Sequence, residues 1–133
     1  MVNGMEIVAK AWDNREGPAV LATADALKKP DAIYVGEIRY DIREGFIVTD
    51  NYFHKTRANI KNGATGAILF ITKDRKSFQV KGTLTYHTNG PIFESMRSRH
   101  NQKHPGVAVV VLRIEEAFCG AEKLRWTKKK MRK

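Results

Sequence analysis

The most chemically suggestive residues lie close together, where Thr49, Asp50 and Asn51 precede His54, Lys55 and Thr56. Lys55 offers an ammonium and Thr56 a hydroxyl donor, in a polar stretch set between apolar ones. If a strand ends near Asp50 and a helix starts just beyond it, the helix start adds unpaired backbone N–H groups and a positive dipole end. Together these suit a phosphate monoester. A lysine in a first helical turn opposes the dipole, and an anionic ligand would account for it. A solvated charge at a frayed helix end fits the same residues, since no glycine-rich phosphate loop accompanies them.

Other reactive side chains form weaker constellations. His100 and His104 stand four apart, a spacing that could place both on one helix face for a metal. Between them lie Asn101, Gln102 and Lys103, with no HExxH glutamate and with a lysine that repels a cation, so two ordinary surface histidines are expected. Ser95, Ser98 and His87 have no acid partner at a spacing that would make a nucleophile, which leaves hydrolysis unsupported. Glu115 and Glu116 are adjacent on a predicted strand and should face opposite sides. The single cysteine, Cys119, can form no internal disulfide and reads as a small buried residue in a reducing compartment.

These residues must be positioned by an ordered framework. Ile7, Val8, Ala11 and Trp12 recur at helical spacing before stop signals at Asn14 to Gly17. Strands are predicted over Pro18 to Ala24, Ala32 to Tyr40 and Phe46 to Asp50, with a turn over Asp41 to Gly45. Tyr52 to Gly63 reads as a short helix. Ala64 to Thr72 and Phe78 to His87 form a hairpin around the polar knot Lys73 to Ser77. A helix opens at Gly90-Pro91 and runs to a stop at Pro105-Gly106, before a strand from Val107 to Ile114 that can extend through Phe118. The reading is a mainly β fold: a six-stranded antiparallel β-barrel with short flanking helices, since the long crossovers of a parallel sheet are missing.

At 133 residues and 42% apolar, the chain suits one globular domain. The assigned organisation is a domain over 1–124 and a basic C-terminal tail over 125–133. The formal charge is +10, and five of those charges sit at Lys128, Lys129, Lys130, Arg132 and Lys133. No window is apolar enough for a membrane helix, and Met1 to Lys10 lacks the features of a signal peptide, so a cytoplasmic location and no membrane are expected. A small basic barrel with aromatics such as Tyr34, Tyr52 and Trp126 could also bind nucleic acid. The concentration of charge at the end of the chain weighs against that alternative.

Three segments, "NYFHKTRANI", "FQVKGTLTYHTNGPIFESM" and "EEAFCGAEKL", resemble the small FMN-binding split-barrel proteins related to pyridoxamine phosphate oxidase. The similarity runs from about Trp12 to Leu124, with its segments in the right order. It implies a homodimer with FMN at the subunit interface and a role as a flavin-dependent oxidoreductase or electron carrier. Lys55 matches the family's phosphate-binding lysine, with Thr56 beside it and His54 where the oxidases have an arginine. Thr49, Asp50 and Asn51 match a strand end that runs along the isoalloxazine, and Tyr34, Val35 and Gly36 a neighbouring strand that contacts it. Gln79 matches a flavin-binding glutamine, Phe118 stands in place of a tryptophan near the cofactor, and Leu124 falls where the small FMN-binding proteins end.

The departures are specific. Lys123-Leu124-Arg125 replaces the arginine-leucine-histidine pattern that grips the vitamin phosphate, which argues against pyridoxamine phosphate oxidation. His54 lacks the bidentate fork of an arginine. With the flavin carrying the reaction, no residue need act as a catalytic acid or base, and no metal is expected. The same fold with a deazaflavin or haem is the remaining alternative.

Overall fold

The computed structural model describes residues 3–127. Their elements run α1 (Gly4–Asp13), β1 (Arg15–Ala24), β2 (Pro30–Val35), β3 (Ile38–Asp41), β4 (Gly45–Asp50), α2 (Lys55–Lys61), β5 (Thr65–Thr72), β6 (Ser77–His87), α3 (Pro91–Arg97), β7 (Ala108–Cys119) and β8 (Glu122–Lys123). The strands form one antiparallel sheet in the order β2-β1-β5-β6-β7-β4-β3, with β8 beside β7. The two outermost strands, β2 and β3, are consecutive in sequence and joined through Gly36-Glu37. The sheet therefore curls until its edges nearly meet, which is a split barrel. No described helix is long and apolar enough to cross a membrane.

Alternation builds the interior. Phe78, Val80 and Leu84 of β6 point inward, as do Ile68 and Phe70 of β5, while their neighbours face out. α1 is capped by Asn3, whose side chain accepts from the Met5 N–H, and it plugs the barrel with Val8, Ala11 and Trp12. The Trp12 ring meets Phe46 and Phe70 edge-on, at centroid distances of 4.9 and 5.0 Å. β4 is buried along its whole length because it has packing on both faces. Phe46 and Val48 join the barrel core, whereas Ile47 sits with Val109, Val111 and Met96 of α3 in a second cluster. After β8, the Leu124 N–H bonds the Ala117 carbonyl, and the Gly4 N–H bonds the Arg125 carbonyl. Trp126 packs against the core. The basic run from Lys128 lies outside the described residues.

The architecture agrees with the mainly β split barrel expected, but the strand count rises from six to eight. The single strand expected over Ala32 to Tyr40 is two: β2 pairs with β1, β3 pairs with β4, and the chain changes partner at Gly36-Glu37. The Thr49 N–H, bonded to the Glu37 carbonyl at 3.0 Å, pins that break. β8 is a two-residue addition without a propensity signal. α3 stops at Arg97 instead of reaching Pro105, because the following loop folds back and Arg97 Nη1 donates to the Pro105 carbonyl at 2.8 Å.

A bulge on β7 corrects the expectation for the acidic pair. Lys81 lies opposite Glu116 but Gly82 opposite Ile114, so Glu115 is an inserted residue. Ile114 and Ala117 are buried, and Glu115 and Glu116 between them both face outward. Gly82 makes the bulge possible: a Cβ there would stand 1.8 Å from the Arg113 carbonyl oxygen. Gly82→Ala should therefore cost about 1–3 kcal/mol of stability, measured by urea denaturation. An unchanged midpoint would show that the two strands separate without cost.

Candidate functional site

A cavity of about 630 Å³ opens where β2, the Gly36-Glu37 break and the β4–α2 turn converge, within the size range of cofactor pockets. One wall is β2, which contributes Ile33, Tyr34 and Val35; the opposite wall is the turn from Asn51 to Thr56, and His104 reaches in from the α3–β7 loop. Tyr34 is 77% exposed. β2 has no strand partner on its outer edge among the described residues, so the cavity runs along a free backbone edge.

Hydrogen bonds tie the walls together. Asn51 Nδ2 donates to Glu37 Oε1 at 3.2 Å, and its Oδ1 accepts from the Gly106 N–H at 2.8 Å, so one amide links the strand break to the α3–β7 loop. The Tyr52 hydroxyl and His104 Nδ1 stand 3.0 Å apart, with their rings edge-to-face. His100 is buried, not at the surface as expected, and its Nε2 donates to the His104 carbonyl at 3.0 Å.

At the far end of the cavity, Thr56 is buried and donates its hydroxyl to Asp31 Oδ2 at 2.6 Å. Lys55 Nζ lies 3.8 Å from Asp31 Oδ1; the lysine side chain is 80% exposed and that of Asp31 only 13%. The two proposed anion donors thus already face a carboxylate from β2. α2 has seven residues, and its N-cap, His54, makes no side-chain capping bond. Any anion affinity here comes from the Lys55 and Thr56 side chains, not from the end of so short a helix.

Asp50 does another job. It is fully buried and accepts from the Phe53 N–H at 3.0 Å, from Arg57 Nε and Nη2 at 2.8 and 3.1 Å, and from the Tyr86 hydroxyl at 2.6 Å. Burial alone would raise its carboxyl pKa, but the bonds from Arg57, Tyr86 and the Phe53 N–H outweigh that and hold it below the ordinary carboxylate value. Burial, with the bond to Asp50, pushes the Tyr86 phenol up to about 12. This triad locks the strand-to-helix turn onto β6, with Arg57 as a bidentate fork.

Of the residues singled out in the sequence, Tyr34, Val35, Gly36, Thr49, Asn51, His54, Lys55 and Thr56 all line the cavity. Asp50 does not; it stands behind the wall and supports it. The Thr49 N–H, taken by Glu37, is no longer a free donor. Gln79 and Phe118 are direct cross-strand neighbours outside the cavity, and Leu124 packs against the core. Residues missed include Asp31, Ile33, Glu37 and Phe53, and His104, which the sequence offered only as a metal candidate, also lines the cavity. Asp31 follows Pro30 and reads as loop, and its partners Lys55 and Thr56 are more than twenty positions away.

The fold is thus that of a split barrel with a cavity at the turn after its fourth strand. Residues 5–118 match the pyridoxamine 5'-phosphate oxidase family, and the chain belongs to that family. No curated protein matches it. Among solved structures, HupZ of Group A Streptococcus is similar with a TM-score of 0.75 at 23% identity, covering 96% of this chain and 100% of that one. An FMN-binding protein from Syntrophomonas wolfei gives 0.70 at 16% identity, covering 86% and 84%. An F420 reductase gives 0.63 at 18% identity, covering 89% and 98%. At these identities the likeness is one of fold.

Proposed function

We propose that the chain is a flavoprotein that binds FMN in this cavity, as a homodimer acting in redox chemistry as an oxidoreductase or an electron carrier. The observation that carries the reading is the polarity of the cavity: an apolar and aromatic wall of Ile33, Tyr34 and Phe53 suits a flat ring, and Lys55 and Thr56 at the far end suit a phosphate. The flavin would supply hydride or single-electron transfer. The chain's own residues would hold it: Lys55 and Thr56 at the phosphate, Val35 and Gly36 beside the ring, and Asn51 fixing the walls in place.

Dimerisation is supported by the outer face of the sheet. Tyr34, Val20, Leu69, Gln79 and Phe118 form one continuous cross-strand row. Leu69 is 43% exposed on that row. Gln79 lies three strands from Tyr34, about 14 Å at normal strand spacing, too far to share a ring with it inside one protomer. A two-fold partner laid on this face would carry its own Gln79 and Phe118 to the cavity. Sedimentation of the FMN-loaded protein should show a dimer, and a flavin-loaded monomer would refute the shared site. Pyridoxamine phosphate oxidation is not part of the proposal, because Arg125 stands where the oxidases have the histidine that grips the vitamin phosphate.

A further inference from the structure

We infer that Asp31 is a built-in competitor for the phosphate, which sets the preference of the pocket among flavins; the inference rests on the flavin reading above. The Asp31 carboxylate contacts Thr56 Oγ1 at 2.6 Å and Lys55 Nζ at 3.8 Å. Those are the two groups a flavin phosphate would use.

The charge balance of the cavity sharpens the point. Its lining holds two carboxylates, Asp31 and Glu37, against one ammonium, Lys55, with His54 and His104 as the other titratable groups apart from tyrosine hydroxyls. Glu37 Oε1 is engaged by Asn51, which leaves Asp31 as the acid facing the lysine. A phosphate monoester carries about −1.5 to −2 at pH 7. To reach Lys55 and Thr56 it must share them with a fixed negative charge or displace it, and like charges set side by side repel. Asp31 is itself thinly held: a mostly buried carboxylate with one hydroxyl donor and one ammonium at the edge of ion-pair range. Riboflavin has the same ring and ribityl chain but no phosphate, so Asp31 should leave its binding almost untouched. The wild-type pocket thus gains less from the phosphate than Lys55 and Thr56 alone would supply, and its preference for FMN over riboflavin should be smaller than that of Asp31→Asn.

The test is titration of the 133-residue protein, of Asp31→Asn and of Asp31→Asn/Lys55→Ala with FMN and, separately, with riboflavin, followed by the visible spectrum. Asparagine keeps an acceptor for Thr56, so the local fold is retained, and riboflavin binding reports on its integrity. The expected result is a rise of about tenfold or more in FMN affinity for Asp31→Asn, with riboflavin changing by less than about twofold and the FMN gain lost in the double variant. If wild type binds FMN and Asp31→Asn binds it equally, Asp31 is no competitor and the flavin reading stands alone. A parallel fall for both flavins would instead make Asp31 an acceptor for the ribityl chain or ring, which overturns the inference. Absence of binding by either flavin in all three proteins overturns this inference and the flavin reading together.

Discussion

Replacing Asp50 with alanine should remove about 3–5 kcal/mol of stability, out of a total near 5–15 kcal/mol for a domain of this kind. The substitution strips four hydrogen bonds from one buried carboxylate and leaves the Tyr86 hydroxyl, the Phe53 N–H and the Arg57 fork without their acceptor. Arg57 retains some solvent, so Asp50→Ala should fall toward the lower end of that range. A urea-induced unfolding curve measures it, and a loss under about 1 kcal/mol would mean the triad is incidental. The pH dependence has a definite sign. The folded carboxyl pKa lies below its unfolded value, so the stabilisation is fully present above about pH 4 and lost as pH falls through the lower folded value. Asp50→Asn should flatten that acid-side decline.

Lys55→Ala should weaken FMN binding by about 1.5–3 kcal/mol, roughly ten- to more than a hundredfold. The loss is large because Lys55 would balance two anions at once: without it, the phosphate and Asp31 share only the Thr56 hydroxyl. Since the side chain is exposed, folding should be unaffected, which separates this variant from Asp50→Ala. Riboflavin titration is the control, and its affinity should be nearly constant. Equal FMN affinity in Lys55→Ala and wild type would refute the phosphate assignment.

The parts of the fold that could be read from sequence are those with local causes. The β5–β6 hairpin follows from alternating residues around Lys73 to Lys76, and α1 from the spacing of Val8, Ala11 and Trp12. Features caused by distant pairing were hidden. Gly36-Glu37 looks like mid-strand until β2 and β3 are seen to choose partners at opposite ends of the sheet. The Glu115 bulge depends on Gly82, more than thirty positions earlier. Much the same holds for the site. The polar cluster from Thr49 to Thr56 was visible because it is contiguous, yet its types did not reveal that Asp50 turns inward to Arg57 while Lys55 turns outward. Asp31 has no local signature, since its meaning comes from the β2 edge lying against α2.

The most direct test is an FMN titration of the purified protein followed by visible absorption. The account predicts a perturbed flavin band that saturates at one FMN per protomer, with the loaded protein sedimenting as a dimer. A spectrum equal to the sum of protein and free FMN at every ratio would contradict it, and a sharp Soret band in the purified protein would assign the cavity to haem instead.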